Sequence, residues 1–142
     1  MNTKQKFIAG AAMSALLAVS FPALAHHAFS AEFDGDKPVE VKGVVTKLEL
    51  TNPHSWLYVD VKGADGTVTN WGFEFGAPFS LKEKGVTKAT FAAGTEVSVQ
   101  GFRAKSGKEF GYAVTTILAD GRSFKTGGAQ DAPTAAPAAT TK

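Results

Sequence analysis

The chain has 142 residues, of which 44% are hydrophobic and 20% charged, with 15 Lys or Arg, 13 Asp or Glu, three His and no Cys. That length fits one domain with a real core, and the hydrophobic share excludes wholesale disorder. The lack of Cys excludes a disulfide framework, a thiolate zinc site, an iron–sulfur cluster, a cysteine nucleophile, a blue-copper centre and a lipid anchor on cysteine.

Residues 1–25 read as a signal peptide. Lys4 and Lys6 form a basic start, an apolar run follows, and Ala23-Leu24-Ala25 supplies the small residues a signal peptidase reads. The expected destination is the bacterial periplasm or the medium, with cleavage after Ala25 and no membrane anchor left behind. Removing the two leader lysines leaves thirteen basic and thirteen acidic residues. A charge-balanced chain has no electrostatic footprint for nucleic acid.

After an N-terminal arm at 26–38, residues 39–125 read as strands around one short helix. Residues 39–50 are rich in β-branched side chains, with Gly43 placed to mark a bulge in a long first strand. A second strand at 54–62 and a third at 67–75 flank the turn chemistry of Lys62-Gly63-Ala64-Asp65-Gly66. Pro78 near the start and Gly85 past the end mark a helix over 79–84. Strands follow at 95–104 and 109–118, and residues 126–142, rich in Gly, Ala, Pro and Thr, read as a flexible, disordered tail. Three strands, a helix and two strands is the order of a small five-stranded OB-like barrel, an all-β fold; a plain β-sandwich is the rival architecture.

Aromatic residues crowd the middle hairpin. A turn centred on residues 64 and 65 sets Tyr58 opposite Trp71, Trp56 opposite Phe73 and His54 opposite Phe75, all on one face. Such a row either fills the core or forms a stacking platform, with Trp56, Tyr58, Trp71 and Phe73 as its ligand-binding residues.

The three histidines carry the most specific chemistry. Cleavage would give His26 a free α-amine, so one residue could chelate a metal through that amine and its ring. His54, in the turn Thr51-Asn52-Pro53-His54, would add a third nitrogen, with His27 as an alternative ligand. Such a histidine brace suits copper(II), which favours tetragonal nitrogen sites. Zinc and nickel bind the same donors and stay open. Both methionines lie in the leader, which argues against a methionine-rich copper(I) carrier. Glu32 and Asp34 are placed to back up a ligand's ring N–H. Asp34-Gly35-Asp36 lacks the remaining positions of a calcium loop.

Enzyme signatures are weak. Ser55, His54 and Asp60 form no triad pattern, and Glu74 and Glu96 alternate with apolar residues as outward-facing groups would. The expectation is a non-enzymatic, exported metal-binding protein with the ion, and another periplasmic protein, as partners. A metal-free module that binds a small ligand or peptide on the aromatic face is the first alternative, and a copper redox enzyme is the second. His26 and His54 stand at opposite ends of the first strand, so the arm must fold back to bring them together.

The string from His26-His27-Ala28-Phe29-Ser30 through Gly43-Val44-Val45 to Asn52-Pro53-His54-Ser55-Trp56, with Phe91-Ala92-Ala93-Gly94-Thr95 beyond it, resembles domain-of-unknown-function family 6152 of small exported bacterial proteins. The likeness runs from about His26 to Phe124. It implies a secreted β-barrel of OB-like shape and supplies no reaction, substrate or cofactor.

Overall fold

A computed structural model describes residues 29–134 of the chain. Among the described residues the fold is all-β with two short helices: α1 (Phe29–Glu32), β1 (Phe33–Glu49), β2 (Trp56–Lys62), β3 (Val68–Glu74), α2 (Pro78–Glu83), β4 (Glu96–Ala104), β5 (Phe110–Leu118) and β6 (Ser123–Lys125). The strands run in the order β3-β2-β1-β4-β5-β6, and a further pairing joins β3 to β5. That last contact is parallel and links Gly72, Phe73 and Glu74 to Phe110, Gly111 and Tyr112. The first five strands are therefore hydrogen-bonded in a cycle. Among the described residues, no helix is long and apolar enough to cross a membrane.

The long first strand serves two neighbours. Residues from Pro38 to Val44 pair with β4, and residues from Val44 to Glu49 pair with β2, with a register shift between Val45 and Lys47. Gly43 sits where the strand changes partner. A Cβ there would lie 2.4 Å from the carbonyl oxygen of Asp60, so only glycine lets the two backbones approach. The strand begins at Phe33, six residues before the expected start, because the arm itself pairs Phe33 with Ala104.

α2 forms as the sequence chemistry expects. Pro78 opens it at a position where a missing N–H costs nothing, and Gly85 follows its end at φ 83°. Its buried Leu81 enters the main core with Leu57, Val59, Trp71, Phe73 and Phe75.

The hairpin corrects the expected pairing. Val59 stands opposite Trp71, Leu57 opposite Phe73 and Trp56 opposite Glu74. The turn is one residue longer than a two-residue connection. Gly63 N–H bonds to the carbonyl of Thr67 at 2.8 Å, Gly66 takes φ 85°, and the Asp65 carboxylate accepts from Thr67 N–H and Oγ1. A one-residue change of register moves a side chain to the other face. Trp71 and Phe73 accordingly lie in the core, while Trp56 and Tyr58 lie on the opposite face. The four do not form one platform.

That opposite face carries a second apolar cluster. Phe29, Phe33, Phe102, Ala104, Tyr112 and Val114 pack together there, under α1. Residues 126–131, expected as part of a solvated tail, are held against the same region. Thr126 is fully buried, its carbonyl accepts from Gly76 N–H at 2.8 Å, and Tyr112 Oη accepts from the N–H groups of Gly128 and Ala129, each at 2.8 Å. The short β6 was likewise absent from the sequence expectation. Its three residues carry too little periodicity to read.

Phe73→Ala should cost about 3–5 kcal/mol in urea unfolding, because it empties the middle of the core. Phe79→Ala, at a side chain 76% exposed, should shift the same measurement by no more than about 0.5 kcal/mol.

Candidate functional site

The strands build one row of side chains across the opposite face. Trp56 on β2 stands beside Glu74 on β3, and Glu74 stands beside Tyr112 on β5. Alternation along β3 sends Glu74 away from the core, as the sequence pattern indicates. Exposure does not follow, because the loop before β2 lays His54 against the carboxylate. The Glu74 side chain is only 9% exposed.

His54 closes over this carboxylate. Its Nδ1 lies 2.7 Å from Glu74 Oε1, and its side chain is 17% exposed. The loop that presents it contains a cis peptide between Asn52 and Pro53. Thr51 Oγ1 donates to the His54 carbonyl at 3.0 Å. The next residue, Ser55, tethers the loop to the strand end through Ser55 N–H to the Gly76 carbonyl and Phe75 N–H to the Ser55 carbonyl. Ser55 Oγ is buried, with no hydrogen-bond partner among the described residues.

Burial, and after it the negative charge of Glu32, push the Glu74 carboxyl up to about 7. Glu32 ends α1, so the N-terminal arm delivers a second carboxylate to the neighbourhood of the first. Burial likewise raises the Tyr112 phenol, against the lowering effect of the N–H groups of Ala129 and Gly128.

Beside this pair runs a strip of half-buried rings. Trp56 stacks on Phe110 with centroids 5.4 Å apart and lies 6.5 Å from Tyr58. Gly72 lies beneath them: a Cβ there would come within 3.4 Å of Tyr58 and 3.9 Å of Trp56. Tyr58 Oη donates to Glu49 Oε2 at 3.4 Å. On the core side, Trp71 stacks on Phe73 and carries the Arg103 guanidinium 4.8 Å from its ring centre.

Of the residues singled out in the sequence, the structure therefore gathers His54, Glu32, Trp56 and Tyr58 around one region. Asp34 faces elsewhere, binding Lys37 at 3.3 Å and the N–H of Asp36 at 3.1 Å. His26 and His27 lie outside the described residues, as does the predicted leader. Sequence reasoning sets Glu74 aside as an outward-facing group and misses Asp131. For Glu74 a signal existed, a lone carboxylate between Phe73 and Phe75 in the strand expected to pair with the His54 segment. Asp131 gave none, since only packing shows that its segment is held.

A carboxyl raised by folding binds its proton more tightly in the folded chain than in the unfolded one. The stability it brings is full below about 4.5 and is lost as pH rises through about 7. Glu74→Gln keeps an acceptor for His54 and removes this ionisation. In urea unfolding at pH 5 and pH 8, the wild type should lose more stability than Glu74→Gln over that interval, by on the order of 1 kcal/mol. Parallel slopes for the two proteins would show that Glu74 does not carry the effect.

No curated protein and no solved structure matches the chain at a significant level. A family model matches residues 13–113, spanning the arm, the whole His54–Glu74 site and most of the sheet. On that match the chain belongs to a family of unknown function, DUF6152.

Proposed function

We propose that the protein is an exported, periplasmic or secreted metal-binding protein. It holds a divalent transition ion, copper first and zinc or nickel by the same donors, between a processed N-terminal His26 and His54. The observation that carries this reading is the buried contact between His54 Nδ1 and Glu74 Oε1 at 2.7 Å. A metal-binding imidazole is commonly held by a carboxylate on its other nitrogen, which sets the tautomer and the ring orientation. With Nδ1 given to Glu74, coordination by His54 runs through Nε2.

Two further features support it. First, the fold brings Phe29, at the described start of the arm, close to the strand that carries Glu74. The Phe29 ring lies 5.2 Å from the Tyr112 ring, and Tyr112 is the strand partner of Glu74. His26 stands three positions before Phe29 in the sequence, a step that can cover about 10 Å. Second, Glu32 and Glu74 repel one another, a cost that a nearby cation would relieve. No group of three or more ligating side chains is assembled among the described residues, so the proposed set needs His26 or His27 as well as His54. The cyclic strand pairing, with β3 parallel to β5 and a helix between β3 and β4, supports an OB-like barrel as the scaffold. In this scheme His26 gives its amine and ring, His54 gives the third nitrogen, His27 is an alternative donor, and Glu74 orients His54. Copper so held would be a tetragonal nitrogen-bound ion.

A second reading rests on the strip of Trp56, Tyr58 and Phe110, a half-buried surface suited to stacking a small planar ligand. It requires no metal.

Copper(II) titrated into exported protein that begins at His26 should give a nitrogen-rich tetragonal paramagnetic resonance spectrum. His54→Ala should weaken binding about tenfold or more, and a Met placed before His26 should abolish tight binding. Affinity should fall toward pH 5, because amine and imidazoles must shed protons to bind. Unchanged affinity and spectrum in His54→Ala would overturn the three-nitrogen site.

A further inference from the structure

A cleft of about 280 Å³ opens between the end of α2, β5, β6 and the segment that follows β6. At the ~30 Å³ that a water molecule takes in the liquid, it has room for roughly nine non-hydrogen atoms. Strand alternation builds its floor. Tyr112 and Val114 point to the same side of β5 and are both buried in the second apolar cluster. On β6, Phe124 packs against the main core, so its neighbour Lys125 is turned to the side of Tyr112 and Val114. Ala132 and Pro133 add apolar surface from the last described segment, and Lys84 enters from the end of α2.

The floor carries a donor that the fold leaves unused. Tyr112 Oη accepts from Gly128 N–H and from Ala129 N–H, each at 2.8 Å, so both its lone pairs are engaged. Its own proton meets no acceptor among the described residues, although the side chain is 3% exposed. A buried O–H in that condition costs free energy until an acceptor arrives. The cleft is where one can arrive. Gly127 and Ala129 surround the hydroxyl, a Cβ on Gly127 coming within 2.7 Å of it, and both line the cleft together with Tyr112.

The charges around the cleft favour an anion. Lys84 and Lys125 are exposed, and neither enters an ion pair among the described residues. No Asp or Glu is found among the described residues that line it. Two carboxylates act on Tyr112 from outside the lining, Glu74 and Asp131. Glu74 is held against His54. Asp131 is spent on α1, where Oδ1 accepts from Phe29 N–H at 3.0 Å and Oδ2 from Ser30 N–H at 3.2 Å. An anion beside Tyr112 therefore depends on both lysines to offset these charges.

We propose that this cleft is a binding site for a small amphipathic carboxylate. The carboxylate accepts the Tyr112 O–H and pairs with the Lys84 and Lys125 ammonium groups, while the hydrocarbon body lies on Val114, Ala132 and Pro133. Hydrogen bonds to an ionised acceptor are the stronger kind, and each methylene taken out of water adds about fourfold in affinity. None of the nitrogen donors of the proposed metal site lines the cleft, so the two proposals stand or fall separately.

Hexanoate, with eight non-hydrogen atoms, is the probe. Titrated into the purified protein and followed by the amide resonances of Gly127 and Ala129, it should bind saturably with a Kd on the order of 1 mM. Hexan-1-ol, which keeps the body and lacks the charge, should bind about tenfold more weakly or worse, and so should acetate and inorganic phosphate, which keep the charge and lack the body. Tyr112→Phe would also strip the acceptor from Gly128 and Ala129, so the decisive variant is Lys84→Gln combined with Lys125→Gln, which removes no internal bond. It should weaken hexanoate about tenfold and leave the urea midpoint unchanged. No saturable shift up to about 20 mM hexanoate, or wild-type affinity in the double variant, would overturn the site. Equal binding of hexan-1-ol would overturn the carboxylate, and equal binding of acetate or phosphate would overturn the apolar body.

Discussion

The parallel contact between β3 and β5 is the constraint on which the other features depend. It joins Gly72, Phe73 and Glu74 to Phe110, Gly111 and Tyr112, and by doing so it returns the end of the middle hairpin to the last long strand. Two consequences follow. Inside the cycle, Phe73 and its neighbours are enclosed on every side and form the main core. Outside it, Trp56, Glu74 and Tyr112 are set in one row although they lie far apart in sequence. Such non-local pairing is the costly part of an all-β fold, because the chain between the strands must be ordered before the contact is gained.

That row explains why the second face is covered. Phe33, Phe102 and Tyr112 point away from the main core and would leave a large apolar patch in water. α1 brings Phe29 onto them, and residues 126–131 close the side. Burial of the rings, each covering roughly 150–250 Å², is the driving force for ordering both segments. A carboxylate is then caught under the cover. Glu74 must accept the loss of water, the charge of Glu32 and the approach of His54. Desolvation raises its pKa, and the imidazole supplies the hydrogen bond that a buried carboxyl requires. The polarity of the site is therefore a by-product of apolar packing, and its proton inventory is set by the cover rather than by the strand that carries the residue.

Much of this was legible before any coordinates. Strand and helix positions came from β-branched runs, turn residues and the Pro78 and Gly85 pair, and the expected elements lie within a few residues of the observed ones except at the start of β1, which lies six residues earlier. The register of the hairpin was not legible, because one extra residue in the loop at 63–67 depends on Gly66 at φ 85° and on the Asp65 carboxylate. That single step transferred Trp71 and Phe73 to the core and left Trp56 and Tyr58 outside. The His54 turn was recognisable as distinctive, yet its partner was taken for an exposed strand residue. Periodicity gives the direction of a side chain; it does not say what lies over it. The region 126–131 shows the same limit more strongly, since a composition of small residues is equally suited to a free tail and to a segment laid closely on another backbone, as Gly128 is on Gly76.

By itself the amino-acid order determined the fold class, the helix between the third and fourth strands and the nitrogen donors on offer, because these depend on local conformational preference and on side-chain chemistry. Tertiary structure alone decided which face each aromatic ring occupies, that Glu74 is buried against His54, and that Asp131 meets Phe29 across the whole length of the domain. Those outcomes depend on register, strand closure and long-range cover, and none of them is encoded in any short window of sequence.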